Sequence, residues 1–466
     1  MTEKKKIEIP HIFAILALLA LVVAVITYII PAGEYVRIEG ADGRAIIDPN
    51  SFHLIEKTPT TFLQYLKSFP QGLVDSGWLF VLTFTIGGAF GVIKKAINVS
   101  ALIKMAASKF GRFDIFMIIS LMIIIALIDS FIGMCELTIV YVPILLPLIL
   151  ALGYDSITCC GLVLGASVVG FASAMTNPFT TAVAQKICNL PLYSGISFRF
   201  GILIVMLIIS IIYVIWYSQR VKKAPEKSFI YQEDKETKKI VLSDETENVK
   251  LTTRESIAGF ITLAGFILTV FGVIKWAWDM PEMGGCFVGI AIFSGIISGM
   301  NGNEICNNLI EGFKEVLVGA LVIGVARAIT VIMSNANITD TIVYYLSSVI
   351  QSVPASITSI GMLIFQTIFN FFVPSGSGQA TIVMPLMSPL AELCGITQQT
   401  AVLAFQFGDG LSNVVYPVSG YMMATLAVGH VPYNKWLKFI LPLFAILTIV
   451  SAIILVVAQS IQLGPF

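Results

Sequence analysis

Charge is what this sequence has least of. Only 12% of its 466 residues are Asp, Glu, Lys or Arg, against roughly 25% in an ordinary soluble domain. The 28 basic and 28 acidic residues cancel, so no excess of one sign is left to bind nucleic acid. Histidine is almost missing: His11, His53 and His430 stand far apart, which argues against a histidine metal cluster or proton relay. The seven cysteines include no C-x-x-C pair, and Cys159-Cys160 reads as helix packing. A disulfide framework and a zinc site are therefore not expected. A phosphate-binding G-x-x-x-x-G-K-[ST] loop and a long soluble domain are both lacking, which argues against an ATP-driven pump. What the chain has in abundance is apolar: 57% of it is hydrophobic, in runs that approach or exceed the ~20 residues needed to cross a bilayer. A cytosolic or secreted enzyme is excluded. The fold class is an all-α polytopic membrane protein that needs no cofactor.

Hydropathy predicts spans at about 11–31, 75–97, 156–187, 196–217, 256–278, 282–300, 316–334, 397–429 and 434–458. The run from Ile12 to Ile30 is longer than the core of a cleaved secretory signal, so it is expected to remain as the first span. Residues 32–74 form an outside loop in which Thr61 to Phe69 is expected to be an interfacial helix. Trp78, Trp216, Trp276, Trp278 and Trp436 fall near span ends and read as interface anchors. Between the spans lie two apolar segments with polar middles, 113–152 and 355–392. The first turns through Asp129 to Glu136, the second through Asn370 to Gln379. Glycine, proline and hydroxyls there break a helix, and broken backbone survives at membrane depth only against protein or a wet cavity. Both segments are read as re-entrant hairpins, giving nine transmembrane helices plus two hairpins.

Residues 218–255 hold nine Lys/Arg and eight Asp/Glu and divide the chain. The two sides look alike at an offset near 240. Asn98-Val99-Ser100 and Asn337-Ile338-Thr339 each begin an amphipathic stretch, and Pro143/Pro147 recur as Pro385/Pro389. Pro178, after Thr176-Asn177, recurs as Pro417, after Ser412-Asn413; Pro191-Leu192-Tyr193 is echoed by Pro432-Tyr433-Asn434. Lys94, Lys95, Lys104, Lys109 and Arg112 mark the first amphipathic arm as cytoplasmic, whereas its partner at 337–352 has no Lys or Arg. The N-terminus and the 218–255 linker are placed inside and the C-terminus outside. Residues 1–217 and 256–466 then form an inverted repeat, a design common in secondary transporters.

The span after each hairpin is interrupted, the first at Thr176-Asn177-Pro178, the second from Asp409 to Gly420. Proline removes a helix donor, which frees carbonyls that suit Na⁺ and half-helix amino ends that suit a carboxylate. The candidate substrate-binding residues are Glu136, Thr176, Asn177, Thr180, Ser375, Ser377, Asp409, Ser412 and Asn413. Candidate Na⁺ ligands are Ser130, Asn177, Ser377 and Asn413, with H⁺ the other coupling ion. Intramembrane acids are costly; Asp129, Glu136 and Asp409 flank the proposed site. The deepest base, Arg327, lies outside both hairpin-and-break units, and Lys186 and Arg199 lie nearer the surfaces. Acids without bases suit a cationic substrate group.

The Met175-Thr176-Asn177-Pro178-Phe179 break, the Glu136 tip and Asp409-Gly410-Leu411-Ser412-Asn413 resemble the YfcC-type branch of the anaerobic C4-dicarboxylate carrier family, over nearly the whole chain. The resemblance implies a secondary transporter in the cell (inner) membrane, a homodimer working as an elevator, with basic amino acids exchanged in this branch. Small-molecule substrate and lipid are its expected partners. The alternatives are a Na⁺- or H⁺-coupled C4-dicarboxylate transporter and, in another class, a passive channel.

Overall fold

The computed structural model describes residues 12–39, 45–48, 50–97, 113–241, 252–276, 278–351 and 355–464. Helices dominate, as the apolar periodicity requires, but the loop at 32–74 departs from the all-α expectation. It folds into four short strands, β1 (Gly33–Glu34), β2 (Arg37–Glu39), β3 (Ala45–Ile47) and β4 (His53–Leu54). They pair antiparallel as β1 with β4 and β2 with β3. Backbone amides outside the helices must pair somewhere, and two-stranded ribbons satisfy them.

Helix α1 (Ile12–Ile29) precedes the strands, and α2 (Phe62–Asp75) follows them. A reciprocal capping box between Thr61 and Gln64 starts α2. It is longer than the expected interfacial helix, and Gly72 brings its backbone onto a later helix: a Cβ there would fall 2.3 Å from the Gly324 carbonyl oxygen. Helix α3 (Gly77–Ala96) leads to residues 98–112, where the first amphipathic arm lies outside the described residues.

The first hairpin segment is α4 (Asp114–Ile132) and α5 (Leu137–Ala151); the second is α14 (Ala355–Phe372) and α15 (Gly376–Leu393). Their interruptions fall at 133–136 and 373–375, within the polar middles read from sequence. The first broken span is α6 (Ser156–Ser173) followed by α7 (Thr181–Ile187), the second α16 (Gln398–Ser412) followed by α17 (Gly420–Val428). The remaining helices are α8 (Ile196–Lys223), α9 (Tyr231–Val241), α10 (Thr253–Trp276), α11 (Met280–Ser298), α12 (Gly302–Asn335), α13 (Thr339–Gln351) and α18 (Tyr433–Ser460). Among the described residues six helices are long and apolar enough to cross a membrane: α3, α4, α6, α8, α11 and α18. Helix α12, bent by 41° between Val318 and Ala320, is a seventh if taken as one span.

Two crossings bring the hairpins onto the broken helices. At Gly170 a Cβ would lie 2.2 Å from the Ala126 carbonyl oxygen, and at Gly408 one would lie 2.4 Å from Gln366 Cβ. Helix α6 is buried along its whole length, while α10, α11 and α18 leave large apolar side chains such as Phe260, Phe293 and Ile449 exposed, as lipid contact requires.

The segment after α8 is less of a free linker than its composition suggested. Helix α8 runs to Lys223, a 3₁₀ turn spans Pro225–Lys227, and α9 docks on the start of α6. Asp155 caps α6 by accepting from Thr158 N (2.8 Å) and also accepts from Tyr217 and Ser228 hydroxyls, each at 2.7 Å. Asp234 accepts from the Ser156 amide at 3.0 Å and its hydroxyl at 2.5 Å. Carboxylates satisfy the orphan amides at a helix start, so a charged segment can dock without an apolar face. Residues 242–251 lie outside the described residues.

Candidate functional site

Helix α4 ends at Gly133 in the left-handed region, φ +71°, where its N–H donates to the Asp129 carbonyl at 2.8 Å. The tip is then sewn to the first break. Ser130 Oγ lies 3.1 Å from Ser173 Oγ and accepts from Met175 N at 3.2 Å. The Ser130 carbonyl accepts from Thr176 N at 3.2 Å, and Thr176 Oγ1 donates to the Phe131 carbonyl at 3.0 Å. Asn177 turns its carboxamide oxygen onto the amides of Phe179 (2.9 Å) and Thr180 (3.2 Å), replacing helix bonds that Pro178 cannot make.

In the second unit, Asn370 on α14 sets its side-chain amide 2.7 Å from Ser412 Oγ and 3.1 Å from both the Asp409 carbonyl and Asn413 Oδ1. The carbonyls freed beyond Ser412 do not stay free. Trp436 Nε1 donates to Val414 at 2.8 Å, and Tyr433 Oη donates to Val415 at 2.8 Å. This corrects two expectations. Trp436 is no interface anchor but is fully buried, because its indole N–H satisfies an interrupted helix. The second break also has fewer carbonyls to offer Na⁺ than its sequence implied.

The two breaks touch each other. Gln406 Nε2 donates to the Phe171 carbonyl at 2.8 Å, and its carboxamide oxygen accepts from Thr181 Oγ1 at 3.2 Å. Asp409 is buried where break and hairpin meet. A Cβ on Gly376 would fall 2.8 Å from Asp409 Oδ2 and 2.4 Å from Thr180 Cγ2, so the amino end of α15 rests directly on this acid.

Both hairpin tips and both breaks enclose a cavity of about 670 Å³. Six of the nine candidate substrate residues line it: Glu136, Thr176, Thr180, Ser375, Ser377 and Asn413. Asn177, Asp409 and Ser412 are buried and support the wall. The Na⁺ set is split. Ser377 and Asn413 line the cavity, whereas Ser130 and Asn177 are buried with their side-chain oxygens already accepting amides. Sequence reasoning missed four lining residues, Phe171, Trp278, Asp279 and Tyr421. Trp278 was expected at an interface; it stands on the cavity wall, beside Asp279, which caps α11 in a reciprocal box with Glu282. The Asp-x-x-Glu pattern marks that cap, but nothing in it says which way the cap faces. Glu136 and Asp279 put two carboxylates on the wall, and among the described residues the lining contains no Lys, Arg or His.

Arg199, read as nearer a membrane surface, is 1% exposed in the first turn of α8. Arg327, read as outside both hairpin-and-break units, does not line the central cavity but lines two further cavities that share Ser375 with it. The fold, not chain distance, puts Arg327 and 374–375 on the walls of one cavity.

Apolar helices of spanning length around a polar cavity built from interrupted helices define a multi-pass membrane transporter, not an enzyme. The chain belongs to the DcuC family, the C4-dicarboxylate anaerobic carriers, whose family model matches residues 9–460. It is 31% identical over 501 aligned residues to the Escherichia coli K12 protein named "Putative basic amino acid antiporter YfcC", covering 98% of each chain. It is 26% identical over 502 residues to a Haemophilus influenzae protein named "Uncharacterized protein", again over 98% of each. Among solved structures, the Alcanivorax borkumensis YdaH transporter aligns with 98% of this chain and 100% of its own at 13% identity and a TM-score of 0.43.

Proposed function

We propose that this chain is a secondary active transporter of cationic amino acids, exchanging arginine- or ornithine-like substrates across the inner membrane. The observation that carries this reading is the central cavity, with Glu136 and Asp279 on its wall and no basic side chain among the described residues. A cationic side chain there gains two carboxylates without meeting a like charge. The amino end of α15 supplies amides for the substrate carboxylate. The name of the Escherichia coli relative points the same way.

In this reading residues 1–217 and 256–466 are inverted repeats. The matched crossings at Ala126/Gly170 and Gln366/Gly408 support it, as do the equivalent caps Asp155–Thr158 and Thr397–Thr400. The hairpins and broken helices would move together as an elevator against a dimeric scaffold, with the N-terminus inside. Glu136 meets the positive end of the substrate, Thr176, Thr180, Ser375, Ser377 and Asn413 its polar groups, while Asn177, Asp409 and Ser412 hold the breaks in shape. Coupling by Na⁺ or H⁺ replaces exchange if uptake needs no internal substrate. The second reading is a C4-dicarboxylate carrier, favoured by the family description.

Counterflow in proteoliposomes tests this. Labelled arginine should accumulate only in vesicles loaded with ornithine or arginine, and succinate should not compete. Glu136→Gln should raise the KM for arginine about tenfold, the loss of about 1.4 kcal/mol. Exchange of succinate without arginine would select the second reading. Unchanged uptake by Asn177→Ala and Asn413→Ala would remove the proposed site.

A further inference from the structure

The wall of the central cavity has two sources. Among the described residues, all but two of those lining it belong to the hairpin-and-break units, at the tips 131–136 and 374–377 and on the broken spans at 171–180, 413 and 421. Trp278 and Asp279 come from outside both units, just before α11. Helix α11 packs on α3, α10 and α12. A Cβ on Gly265 of α10 would fall 2.3 Å from the Ile290 side chain of α11. One on Gly284 of α11 would fall 3.3 Å from Thr85 Oγ1 of α3. Packing this tight ties α11 to those neighbours.

The residues before α11 are fastened in the same way. The Trp278 amide donates to the Gly272 carbonyl of α10 at 3.2 Å, and a Cβ on Gly272 would fall 2.3 Å from the Trp278 ring. The Asp279 side chain is exposed and accepts from the Met280 amide at 2.8 Å, at a helix start whose dipole favours negative charge. A cap alone needs no carboxylate, since Asn caps a helix as well as Asp does. Glu136, on the first hairpin tip, stands on the wall of the same cavity, close enough for the two carboxylates to repel each other. Arg327 lines an adjoining cavity with Met280 and Ser375, not this one. Thr180, 1% exposed, adds a hydroxyl oxygen on the cavity wall that has no hydrogen-bond partner among the described residues. A cation in the cavity relieves the repulsion and touches both sources of the wall at once.

We propose that Asp279 is a stationary specificity residue, meeting the cationic end of the substrate only while the hairpin-and-break units stand against the start of α11. Glu136 travels with the substrate; Asp279 stays behind. Asp279 therefore sets affinity at one membrane face, the one where α10 gives way to α11, and Glu136 sets it at both. With the 218–255 linker inside, that face is the outer one, because α10 is the first span after the linker. This division rests on the cationic amino-acid reading and on joint movement of the two units. It adds to them which carboxylate the substrate leaves on crossing.

Labelled-arginine entry into right-side-out and inside-out membrane vesicles, both loaded with arginine, gives a KM for each face. Asp279→Asn keeps the cap and removes the charge, so the purified variant should melt as the wild type does. Its KM should rise about tenfold in right-side-out vesicles, as expected for one charged hydrogen bond, and stay within about twofold of wild type in inside-out ones. Glu136→Gln, run beside it, should raise the KM about tenfold at both faces. A rise confined to inside-out vesicles keeps the stationary role and reverses the orientation. Equal rises at both faces, or none at either, would overturn the proposal. If the vesicles take up succinate and not arginine, the cationic reading falls by itself. Asp279 is then upheld as a one-face residue only if Asp279→Asn lowers the succinate KM at one face, and overturned if it does so at both or neither.

Discussion

Gly133 and Asn177 are packed so closely that a Cβ at residue 133 would fall 2.2 Å from the Asn177 carboxamide. The glycine also has φ +71°, so the tip of the first hairpin needs glycine twice over. Gly133→Ala should cost about 1–2 kcal/mol from the left-handed backbone alone, and more because Asn177 is held by the Phe179 and Thr180 amides. The expected result is a lower melting temperature with transport reduced further than stability, because the displaced Asn177 re-aims Thr176 and Thr180. A variant with wild-type uptake and melting would mean the two residues have room to part.

The helix crossings set the second expectation. At Gly170 the neighbour is the Ala126 carbonyl, a backbone atom that cannot rotate away, and at Gly408 it is Gln366 Cβ and the Thr367 amide. Gly170→Ala and Gly408→Ala should each destabilise by about 1–3 kcal/mol through overpacking. Gly285, where a Cβ meets nothing within 4 Å, is the control: Gly285→Ala should leave the melting temperature unchanged or slightly raised.

Trp436→Phe tests the repair of the second break. The substitution keeps most of the volume and removes the donor to the Val414 carbonyl. An orphaned buried acceptor costs about 1–3 kcal/mol. Thermal unfolding should show this loss in full if the indole serves as a donor, and almost none if it serves only to pack.

The strand-bearing loop is held to α13 by Asp340, which accepts from Arg37 and from the Tyr35 amide at 3.0 Å. Phe52 stacks on Tyr344 with ring centroids 4.1 Å apart. Arg37 is 43% exposed and Asp340 only 7%, so the two deletions differ. Arg37→Ala should cost about 1 kcal/mol, tempered by solvent; Asp340→Ala should cost more, because it also strands the Tyr35 amide. Protease cleavage within residues 40–49 should quicken in the same order.

Docking of α9 should depend on pH. Burial lifts the Asp234 carboxyl from its ordinary value of 3.8 to about 6; donation from Ser156 opposes the shift and the nearby Asp155 charge adds to it. A carboxyl whose folded value is raised stabilises the fold most when protonated, below about pH 4, and that contribution is lost as pH climbs through about 6. The melting temperature of the wild-type protein should therefore fall relative to Asp234→Asn between pH 5 and pH 7. Parallel profiles would mean that Asp234 is ionised throughout.

Much of the hairpin-and-break layout was readable because it is written in local chemistry. Asp129 to Glu136 and Asn370 to Gln379 interrupt apolar runs with residues that cannot stay helical, and the turns fall there. Pro178 and Pro417 end helices for reasons contained in one residue. Glu136, Thr176, Ser377 and Asn413 could be singled out because polar atoms at membrane depth need a purpose. Trp278 and Trp436 were misread for the opposite reason. Each was judged by its neighbours in the chain, whereas its surroundings come from elsewhere in the fold: the cavity wall for Trp278 and the Val414 carbonyl for Trp436.

Composition and periodicity by themselves determined that this chain lives in a membrane, that its backbone breaks in two matched places, and that acids gather near those breaks. These are one-body properties, set by the cost of placing each residue type in hydrocarbon. Which broken end meets which tip, whether a freed carbonyl is available or already taken, and which cavities Arg327 lines were decided only by tertiary structure. Those are pair properties, and the energy of a pair depends on distances that no single segment contains.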